Sequence, residues 1–343
     1  MKKHILNLTT EELTQEIVSL NEKPFRVKQL FDWIYRKKIN NFSEIKNLPQ
    51  KFISILQEKF FLYSLKFVSL EKSSIDNTTR INFHTLDENT VPCVFLPKDN
   101  RTTACISTQV GCPIGCYFCN SGKMKFARNL SKGEITEQVL FLEKHFKINI
   151  DGILFMGMGE PLLNYDNVVG AIKDFTDEQK FSLGRRKITL STIGLVPKIY
   201  SLAEEILGIK LAISLHAPDD ITRLKVVPPK IKYSIEEILK AAVHYIVKNN
   251  TKLTIEYVLV SDINDSSLCA NRLISLLEKV NIYKKRLKIN LIPYNVIAGE
   301  KFATPEESKV INFKKLLMEK NFLTIVRESR GKDINAACGQ LGW

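Results

Sequence analysis

The chain of 343 residues contains no apolar run that approaches the roughly 18 uninterrupted residues of a membrane-spanning helix. Its first segment, Met1–Leu20, is polar and of mixed charge, whereas an export signal has an apolar stretch after a basic start. No internal repeat and no low-complexity segment is present. We therefore expect a folded, cytoplasmic protein without a membrane partner, and we expect it to be a monomer.

Acidic residues are too few to balance the basic ones. The sequence has 50 Lys and Arg against 37 Asp and Glu, which gives a formal net charge of +13. This surplus favours a polyanionic partner, because each Lys or Arg placed on a phosphate releases condensed counterions. A general richness in lysine explains the same number, so charge alone leaves nucleic-acid binding open.

The seven cysteines are an odd number in a chain without an export signal, which argues against a disulfide framework. Cys112, Cys116 and Cys119 form a Cys-x3-Cys-x2-Cys pattern in a glycine-rich loop. Three thiolates can bind three irons of a [4Fe–4S] cluster and leave the fourth iron open to a ligand. The alternative is a zinc site completed by Cys105 or Cys93, although a second Cys-x2-Cys pair, usual in such sites, is lacking.

Strand and helix patterns alternate six times in the second part of the chain. Six such units predict an α/β fold whose parallel sheet curves into a complete or partial barrel, with functional residues at the carboxyl ends of the strands. The predicted strands are Ala104–Ser107, Gly152–Met156, Lys187–Ser191, Lys210–Leu215, Lys252–Val258 and Leu287–Ile292. The predicted helices are Lys132–Phe146, Asn167–Phe175, Val196–Ala203, Ile235–Lys248, Leu268–Val280 and Pro305–Glu319.

Three domains are predicted from these patterns. Residues 1–65 form a helical accessory domain, residues 66–100 a β-rich connector, and residues 101–343 the barrel with a C-terminal tail. The stretch Arg26–Lys38 mixes basic and aromatic residues at helical spacing. It is either a packed helix with a solvated basic face or a surface that contacts RNA.

Several polar residues follow the predicted strands. The turn Gly157–Pro161 brings Glu160 to a strand end, where a carboxylate could accept from a ligand ammonium, although a simple turn is also possible. The residues at the ends of strands three, four and six are Ser191, Ser214, His216 and Asn295. Each alone is typical of a cap, but their common edge favours a ligand.

The whole chain resembles a known family. The stretches that carry the resemblance are Cys105–Cys112, the three-cysteine loop with Phe118 before its last cysteine, Phe126–Leu130, Phe155–Asn164, Ser191–Gly194, Ser214–Pro218 and Arg330–Leu341. Together they are similar to the RlmN-type dual-specificity RNA methyltransferases, which belong to the radical SAM superfamily. The Ala-Ala-Cys338-Gly-Gln-Leu motif near the C-terminus is the most specific of them.

This resemblance implies a fold and cofactors. The fold would be a partial (β/α)6 radical SAM barrel with an N-terminal helical accessory domain and a short β extension. One [4Fe–4S] cluster would be held by Cys112, Cys116 and Cys119. The residues implied to bind S-adenosylmethionine (SAM) are Gly159, Glu160, Ser191, Ser214, Leu215 through its backbone, His216 and Asn295.

The resemblance also implies the chemistry. Cys338 would receive a methyl group and pass it as a one-carbon radical to C2 of an adenine, in 23S rRNA and in tRNA. Cys105 would then release the product by forming a transient disulfide with Cys338. An electron donor for the cluster and an external thiol reductant are the other partners implied. Such a target base must leave its stack to enter a barrel.

The departure from the family pattern that bears on the catalytic base lies at position 92. The family usually has Val-Glu-x-Val before the cysteine loop, and that glutamate is its proton acceptor, but this chain has Val91-Pro92-Cys93-Val94. Pro92 cannot act as a base, and Glu88 stands four residues earlier on the same predicted strand face, about 13 Å away. Two alternatives therefore stay open: a Cfr-like enzyme that methylates adenine C8, and a non-enzymatic zinc-binding RNA-associated protein.

Three basic clusters are candidates for RNA contacts around the active-site opening. They are Lys123, Lys125, Arg128 and Lys132; Arg185, Arg186 and Lys187; and Lys284, Lys285, Arg286 and Lys288.

Overall fold

The structure is a computed structural model that describes residues 2–230, 232–280 and 284–342. Its strands are β1 (Lys3–His4), β2 (Phe60–Phe61), β3 (Lys66–Lys72), β4 (Thr79–His84), β5 (Thr90–Lys98), β6 (Arg101–Cys105), β7 (Gln109–Val110), β8 (Arg128–Asn129), β9 (Gly152–Phe155), β10 (Ile188–Thr192), β11 (Lys210–Ser214), β12 (Leu253–Leu259), β13 (Leu287–Pro293) and β14 (Leu323–Val326). Its α-helices are α1 (Thr10–Ser19), α2 (Arg26–Phe31), α3 (Gln50–Lys59), α4 (Lys132–Phe146), α5 (Tyr165–Thr176), α6 (Val196–Glu204), α7 (Asp220–Arg223), α8 (Ile235–Lys248), α9 (Ser267–Lys279) and α10 (Glu307–Glu319).

A ten-stranded mixed sheet runs through the molecule in the order β14-β13-β12-β11-β10-β9-β6-β5-β4-β3. The strands from β14 to β6 pair in parallel, whereas β6, β5, β4 and β3 pair antiparallel. The predicted α/β fold on a partial barrel is therefore confirmed, and the sheet is open, with β14 and β3 at its edges.

Local sequence explains why the barrel elements form where predicted. All seven residues of β12 are buried, as expected for an apolar strand that is covered on both faces of a parallel sheet. Ser131 and Ser234 begin α4 and α8, each with a glutamate three residues on that completes a reciprocal capping box. The six predicted strands and six predicted helices are present, with ends that agree within two residues except at β6, which begins three residues before the predicted Ala104.

The short strand β14 is a seventh parallel strand that the sequence pattern did not reveal. Its four residues pair with β13, yet Leu323 and Ile325 are 58% and 45% exposed. Since one of its faces is neither covered nor polar, β14 shows no clear alternation of apolar and polar residues.

The N-terminal helices have a hydrophobic core of their own. It contains buried side chains between Ile5 and Leu62, and Leu140 of α4 is its contact with the barrel. Strands β3–β5 instead continue the barrel sheet through the pairing of β5 with β6. The two domain boundaries, after residues 65 and 100, and the RNA-binding role of residues 1–65 stay predictions.

A buried carboxylate joins the N-terminal helices to the barrel. Glu137 of α4 accepts hydrogen bonds from the Ser64 amide (2.8 Å), the Ser64 hydroxyl (2.7 Å) and the Leu65 amide (2.7 Å). The His4 imidazole Nε2 lies 3.0 Å from the same carboxylate. Because these donors are buried, each needs an acceptor that water cannot supply.

No helix within residues 2–230, 232–280 and 284–342 is both long and apolar enough to span a bilayer.

We expect the change Glu137→Ala to lower the free energy of unfolding by about 3 kcal/mol, because it leaves two or three buried donors without an acceptor. Urea denaturation followed by circular dichroism measures this loss. The control is Glu178→Ala, which removes an exposed carboxylate next to the same core. Equal stability of the two variants would mean that Glu137 does not join the two parts.

Candidate active site

A cavity of about 910 Å³ opens at the carboxyl ends of the parallel strands. It contains ten of the twelve residues singled out from the sequence: Cys112, Cys116, Cys119, Gly159, Glu160, Ser191, Ser214, His216, Asn295 and Cys338. The other two are Leu215, whose side chain is fully buried in the main core, and Cys105, which lines a neighbouring cavity. Residues far apart in sequence are therefore brought to one site.

The cysteine loop is held by close backbone contacts. Gly111 has φ +74°, and a Cβ there would meet the Lys125 carbonyl oxygen at 2.5 Å. The Tyr117 amide donates to the Val226 carbonyl at 3.0 Å, and the Asn120 amide donates to the Gly339 carbonyl at 2.7 Å. The loop thus contacts both the segment after α7 and the C-terminal tail.

The three loop thiols fit the open iron–sulfur cluster that their spacing suggested. All three line the cavity, and burial raises the pKa of Cys112 to about 12 and those of Cys116 and Cys119 above their ordinary value. Thiolates in so apolar a setting need a cationic partner, and a metal cluster supplies one.

The zinc interpretation finds less support in this arrangement. Among the described residues no three His, Cys, Asp or Glu side chains are placed to share one metal ion. Cys93, one proposed fourth ligand, is fully buried in the main hydrophobic core. Cluster cysteines can stand further apart, since each binds a different iron.

Glu160 lies on the wall of the cavity at the turn after β9. Its two carboxylate oxygens accept from the Leu162 amide (3.0 Å) and the Ile193 amide (2.9 Å). Burial raises its pKa to about 7, although both hydrogen bonds act in the opposite direction. Gly159 before it has φ +108°, and a Cβ would meet the Gln109 side chain at 2.7 Å. This turn therefore requires glycine and presents a carboxyl group suited to a ligand cation.

A row of polar side chains crosses the inner face of the sheet. The Ser191 and Ser214 hydroxyls are 3.2 Å apart, and Ser214 pairs in register with Glu256 on the next strand. Asn290 of β13 donates to Glu256 Oε1 at 2.9 Å. Glu256 Oε2 is buried and has no hydrogen-bond partner among the described residues. The row thus offers a ligand two hydroxyls and one free carboxylate oxygen.

Glu256 was missed by the sequence reasoning. It lies in the middle of β12, whereas the prediction considered only polar residues at the ends of strands. Its neighbours Ile255 and Tyr257 are fully buried. The available signal was a single carboxylate in an otherwise apolar parallel strand, which is costly unless it has a partner or a function.

His216 has a left-handed backbone conformation, with φ +60°, and lines the cavity. Its Nδ1 accepts from the Val258 amide at 3.1 Å, and its ring meets Phe118 edge-on with centroids 4.6 Å apart. Burial, aided by the charge of Arg223, lowers its pKa to about 3. The imidazole is therefore neutral and can donate only from Nε2.

The C-terminal tail returns to the cavity and carries Cys338. The Asn295 side chain donates to the Cys338 carbonyl at 2.9 Å, while its own oxygen is buried without a partner among the described residues. The Ser121 hydroxyl donates to the Leu341 carbonyl at 2.7 Å, and Arg80 donates to the carbonyl of Gly342. Asn295 therefore positions the tail and still has an acceptor for a ligand.

The neighbouring cavity, of about 680 Å³, is lined by Cys105, Cys338 and Arg327. Burial raises the pKa of Cys105 to about 12, and the Cys338 thiol acts in the same direction while Arg327 opposes it. All seven cysteines are free thiols. The Cys338 sulfur and the Arg327 guanidinium are thus close enough to shift the pKa of Cys105, and no disulfide joins the two sulfurs.

The departure at position 92 is not compensated by Glu88. Pro92 is buried on β5, and its carbonyl accepts from the Ser107 hydroxyl. Glu88 lies in the β4–β5 turn, 66% exposed, near Lys66 (3.6 Å) and His84 (3.5 Å). Neither residue lines the cavity.

The hypothesis that three basic clusters surround the opening is wrong for most of their members. Arg128 is bound by Asp87 and Glu134, and Lys132 is buried against Asp174 at 2.9 Å. The clusters 185–187 and 284–288 precede or begin β10 and β13, so they lie at the opposite, amino-terminal end of the barrel. Only Lys123 and Lys125 stay near the cysteine loop, and Lys123 is paired with Glu300.

Comparisons with known proteins agree with this geometry. Residues 106–270 match the model of the radical SAM superfamily, and residues 3–62 match that of the ribosomal RNA large subunit methyltransferase N-terminal domain. A probable dual-specificity RNA methyltransferase RlmN of Endomicrobium trichonymphae is 45% identical over 342 residues, covering 100% of this chain and 98% of its own. The corresponding protein of Thermotoga maritima is 43% identical over 339 residues, covering 99% and 97%.

A solved structure is similar over the same length. The crystal structure of a radical SAM methyltransferase from Sphaerobacter thermophilus superimposes with a TM-score of 0.93 at 34% identity and covers 98% of both chains.

We expect the change Asp76→Ala to loosen the tail, because the Asp76 carboxylate accepts from the Gly331 amide at 2.8 Å and lies 3.9 Å from the Arg330 guanidinium. Amide hydrogen exchange over residues 331–342 should become about tenfold faster, which corresponds to the loss of one or two such bonds. The control is Asp262→Ala, a carboxylate bound by Lys309 and not by the tail. Unchanged exchange in Asp76→Ala would show that other contacts hold the tail.

Proposed function

The chain belongs to the RlmN-type dual-specificity RNA methyltransferases of the radical SAM superfamily, and from this premise we propose that it methylates C2 of a specific adenine in 23S rRNA and in the tRNA anticodon loop. The observation that carries the proposal is the meeting of Cys338, Cys105 and Arg327 beside the three-cysteine loop. An adenine C2 is electron-poor, so it needs a carbon radical rather than a simple methyl donor.

The residues present fit the two cofactors of this chemistry. Cys112, Cys116 and Cys119 would hold a [4Fe–4S] cluster. SAM would lie against Gly159, Glu160, Ser191, Ser214, His216 and Asn295, with Leu215 contributing its backbone. When bound, these groups supply the methyl group and a radical able to remove a hydrogen atom.

In this proposal Cys338 first accepts the methyl group and then delivers it to the adenine. Its sulfur takes a methyl group from SAM by displacement and becomes a thioether. Loss of one hydrogen atom leaves a carbon radical on that group, which adds to the adenine ring. The ring carbon then loses its proton and one electron, which the [4Fe–4S] cluster held by the loop cysteines would accept, so that the ring becomes aromatic again while it is still bound to the protein through sulfur.

Cys105 releases the product. As its thiol loses a proton, its sulfur attacks the Cys338 sulfur, and the bond between that sulfur and the transferred carbon breaks. The electron pair goes to the carbon, which takes up a proton and becomes the methyl group of the product. External thiols must reduce the resulting disulfide, which fits a reducing cytoplasm as the place of action.

We assign the loss of the ring proton to Glu256. Pro92 cannot accept a proton, and both oxygens of Glu160 are already bound by backbone amides. Glu256 Oε2 is the free carboxylate oxygen in the same cavity. Burial also raises the pKa of Glu256, which makes its carboxylate a stronger base.

The substrates and partners proposed here are 23S rRNA, tRNA, a one-electron donor for the cluster and a thiol reductant. Methylation at C8 by a Cfr-like enzyme is the alternative for the same cysteine pair, and Pro161-Leu-Leu-Asn164 resembles the C2 type more closely.

We expect anaerobically reconstituted enzyme to convert adenosine in target RNA to 2-methyladenosine, detected by mass spectrometry of the digested nucleosides. In Cys105→Ala, the thiol that releases the product is missing, so a covalent protein–RNA adduct should accumulate and be visible on a denaturing gel.

The matched control is Cys338→Ala, which should give neither methylated product nor adduct. A product modified at C8 would support the Cfr-like alternative. Clean turnover by Cys105→Ala would contradict the releasing role, and a colourless protein containing zinc would contradict the radical chemistry.

We expect Glu256→Gln to slow methylation by about 100-fold or more, the usual range for loss of a general base, while SAM affinity changes less than twofold. The adduct should accumulate in this variant even though Cys105 is intact. Glu328→Gln, an exposed glutamate beside the second cavity, is the control. A large loss of SAM affinity would instead assign Glu256 to cofactor binding, and normal turnover would exclude it as the base.

A further inference from the structure

The amino-terminal end of the barrel carries a ring of cations. Ser191, Ser214 and Glu256 line the cavity. Of the residues four positions earlier, Lys210 begins β11 and lies on the same inner face because side chains alternate along a strand, whereas Lys187 and Lys252 come directly before β10 and β12. All three of these earlier residues are lysines. Together with Arg101, four positions before Cys105, and Lys288, two before Asn290, they form what we call the cationic mouth: Arg101, Lys187, Lys210, Lys252 and Lys288.

These charges lie close to one another. The pKa of Lys210 is lowered, first by burial and then by repulsion from Lys288, Lys252 and Arg101. Strand pairing agrees, because Thr189 is opposite Lys210 and Leu211 is opposite Leu253, which places Lys187, Lys210 and Lys252 at the starts of three adjacent strands. Their mutual repulsion opposes folding unless an anion offsets it.

The protein itself supplies little counter-charge. Lys187 lies 3.8 Å from Asp151, but Arg101, Lys210, Lys252 and Lys288 form no ion pair with any described residue. Lys288 is influenced by Glu256, which lies on the neighbouring strand, and also by the cation Arg327 directly after β14. Four cations at this end of the barrel thus have no paired anion among the described residues, where 24 of the 25 ion pairs lie outside the cationic mouth.

The cationic mouth is separate from the active site and open to solvent. It lies four strand residues, or about 13 Å, from the layer that contains Ser214 and Glu256. Arg101, Lys187 and Lys252 are exposed, and Lys210 and Lys288 are partly so. Access is also open from the side, because Leu323 on the inner face of β14 is 58% exposed.

Further cations extend the same end of the molecule. Arg185 and Arg186 precede β10, and Lys284 and Lys285 precede β13. Lys284 is paired with Glu278 at 3.3 Å, but Arg185, Arg186 and Lys285 have no ion pair among the described residues. The positive surface is therefore wider than a site for one small anion.

We propose that the cationic mouth binds backbone phosphates of the substrate RNA, away from the target loop, as a second contact that the active site does not provide. Lysine is a compact point charge that binds phosphate without reading bases. Such a contact suits an enzyme of dual specificity, because rRNA and tRNA share a phosphate backbone but not a common shape. This proposal rests on the proposed function, since it names the substrate RNA as the ligand.

The test compares two double variants in the full-length reconstituted protein. Arg101→Gln/Lys252→Gln removes two exposed cations of the cationic mouth, and Lys314→Gln/Lys315→Gln removes two cations from α10. Fluorescence anisotropy with a full-length tRNA transcript should show binding about tenfold weaker at 0.15 M salt for the first variant. The slope of log K against log salt should also fall by about 1.5. The α10 variant should stay within twofold of the wild type.

A second measurement separates this contact from the methylation reaction. A short stem-loop that contains the target adenine reaches only the active site, so the Arg101→Gln/Lys252→Gln variant should methylate it at the wild-type rate. If the wild type methylates no RNA but binds tRNA through these residues, the proposed function fails and the phosphate contact stands. If both double variants bind tRNA equally, the phosphate contact is wrong.

A third measurement removes the partly buried charge. Lys210→Met should raise the melting temperature, because it relieves repulsion, and inorganic triphosphate should stabilise the wild type more than this variant. A lower melting temperature would show that Lys210 has a stabilising partner and would overturn the proposal. Tight triphosphate binding with unchanged tRNA affinity in Arg101→Gln/Lys252→Gln would identify a small-anion site instead.

Discussion

The C-terminal tail is held between the cysteine loop and the end of β13, and the arrangement of the site depends on this placement. The Asn120 amide binds the Gly339 carbonyl from one side, and the Asn295 side chain binds the Cys338 carbonyl from the other. A chain terminus normally frays, because few contacts offset the entropy of ordering it. Here two consecutive carbonyls, those of Cys338 and Gly339, have a partner, so the Cys338 thiol is held where the cysteine loop, the strand ends and Cys105 meet.

The same geometry divides the barrel interior into layers. Because side chains alternate along parallel strands in register, one layer contains Ser191, Ser214 and Glu256, and the layer four residues earlier contains lysines. Negative or neutral acceptors thus lie beneath the cysteine loop, and positive charge lies at the far end. The net charge of +13 is concentrated partly in a place that composition alone cannot indicate.

The sequence predicted the fold and most of the site, because both depend on local patterns. Alternating strand and helix periods located six βα units, and the ends of parallel strands must share one edge of a sheet. β14 was missed, because its inner residues Leu323 and Ile325 are exposed and leave no polar side. The basic clusters were predicted at the wrong end of the barrel, because a cluster of lysines does not show whether it lies at the amino or the carboxyl end of the neighbouring strand. Arg128 and Lys132 were misjudged for another reason: their acidic partners are distant in sequence or on another helix.

Arg327 links the two thiols to the buried carboxylate. Its pKa lies above the ordinary value, because Cys338 first, and then Glu256 and Cys105, favour its charge against the effect of burial. The same cation favours a thiolate on Cys105, but burial and the Cys338 thiol outweigh it and raise the pKa of Cys105 to about 12. At neutral pH Cys105 is a protonated thiol, which is a poor nucleophile. In the proposed reaction, a nearby group would therefore have to take the proton of Cys105 before its sulfur attacks that of Cys338. A proline at position 92 leaves this balance intact, because the groups that set it lie on β6, on β12, directly after β14 and in the tail rather than on β5.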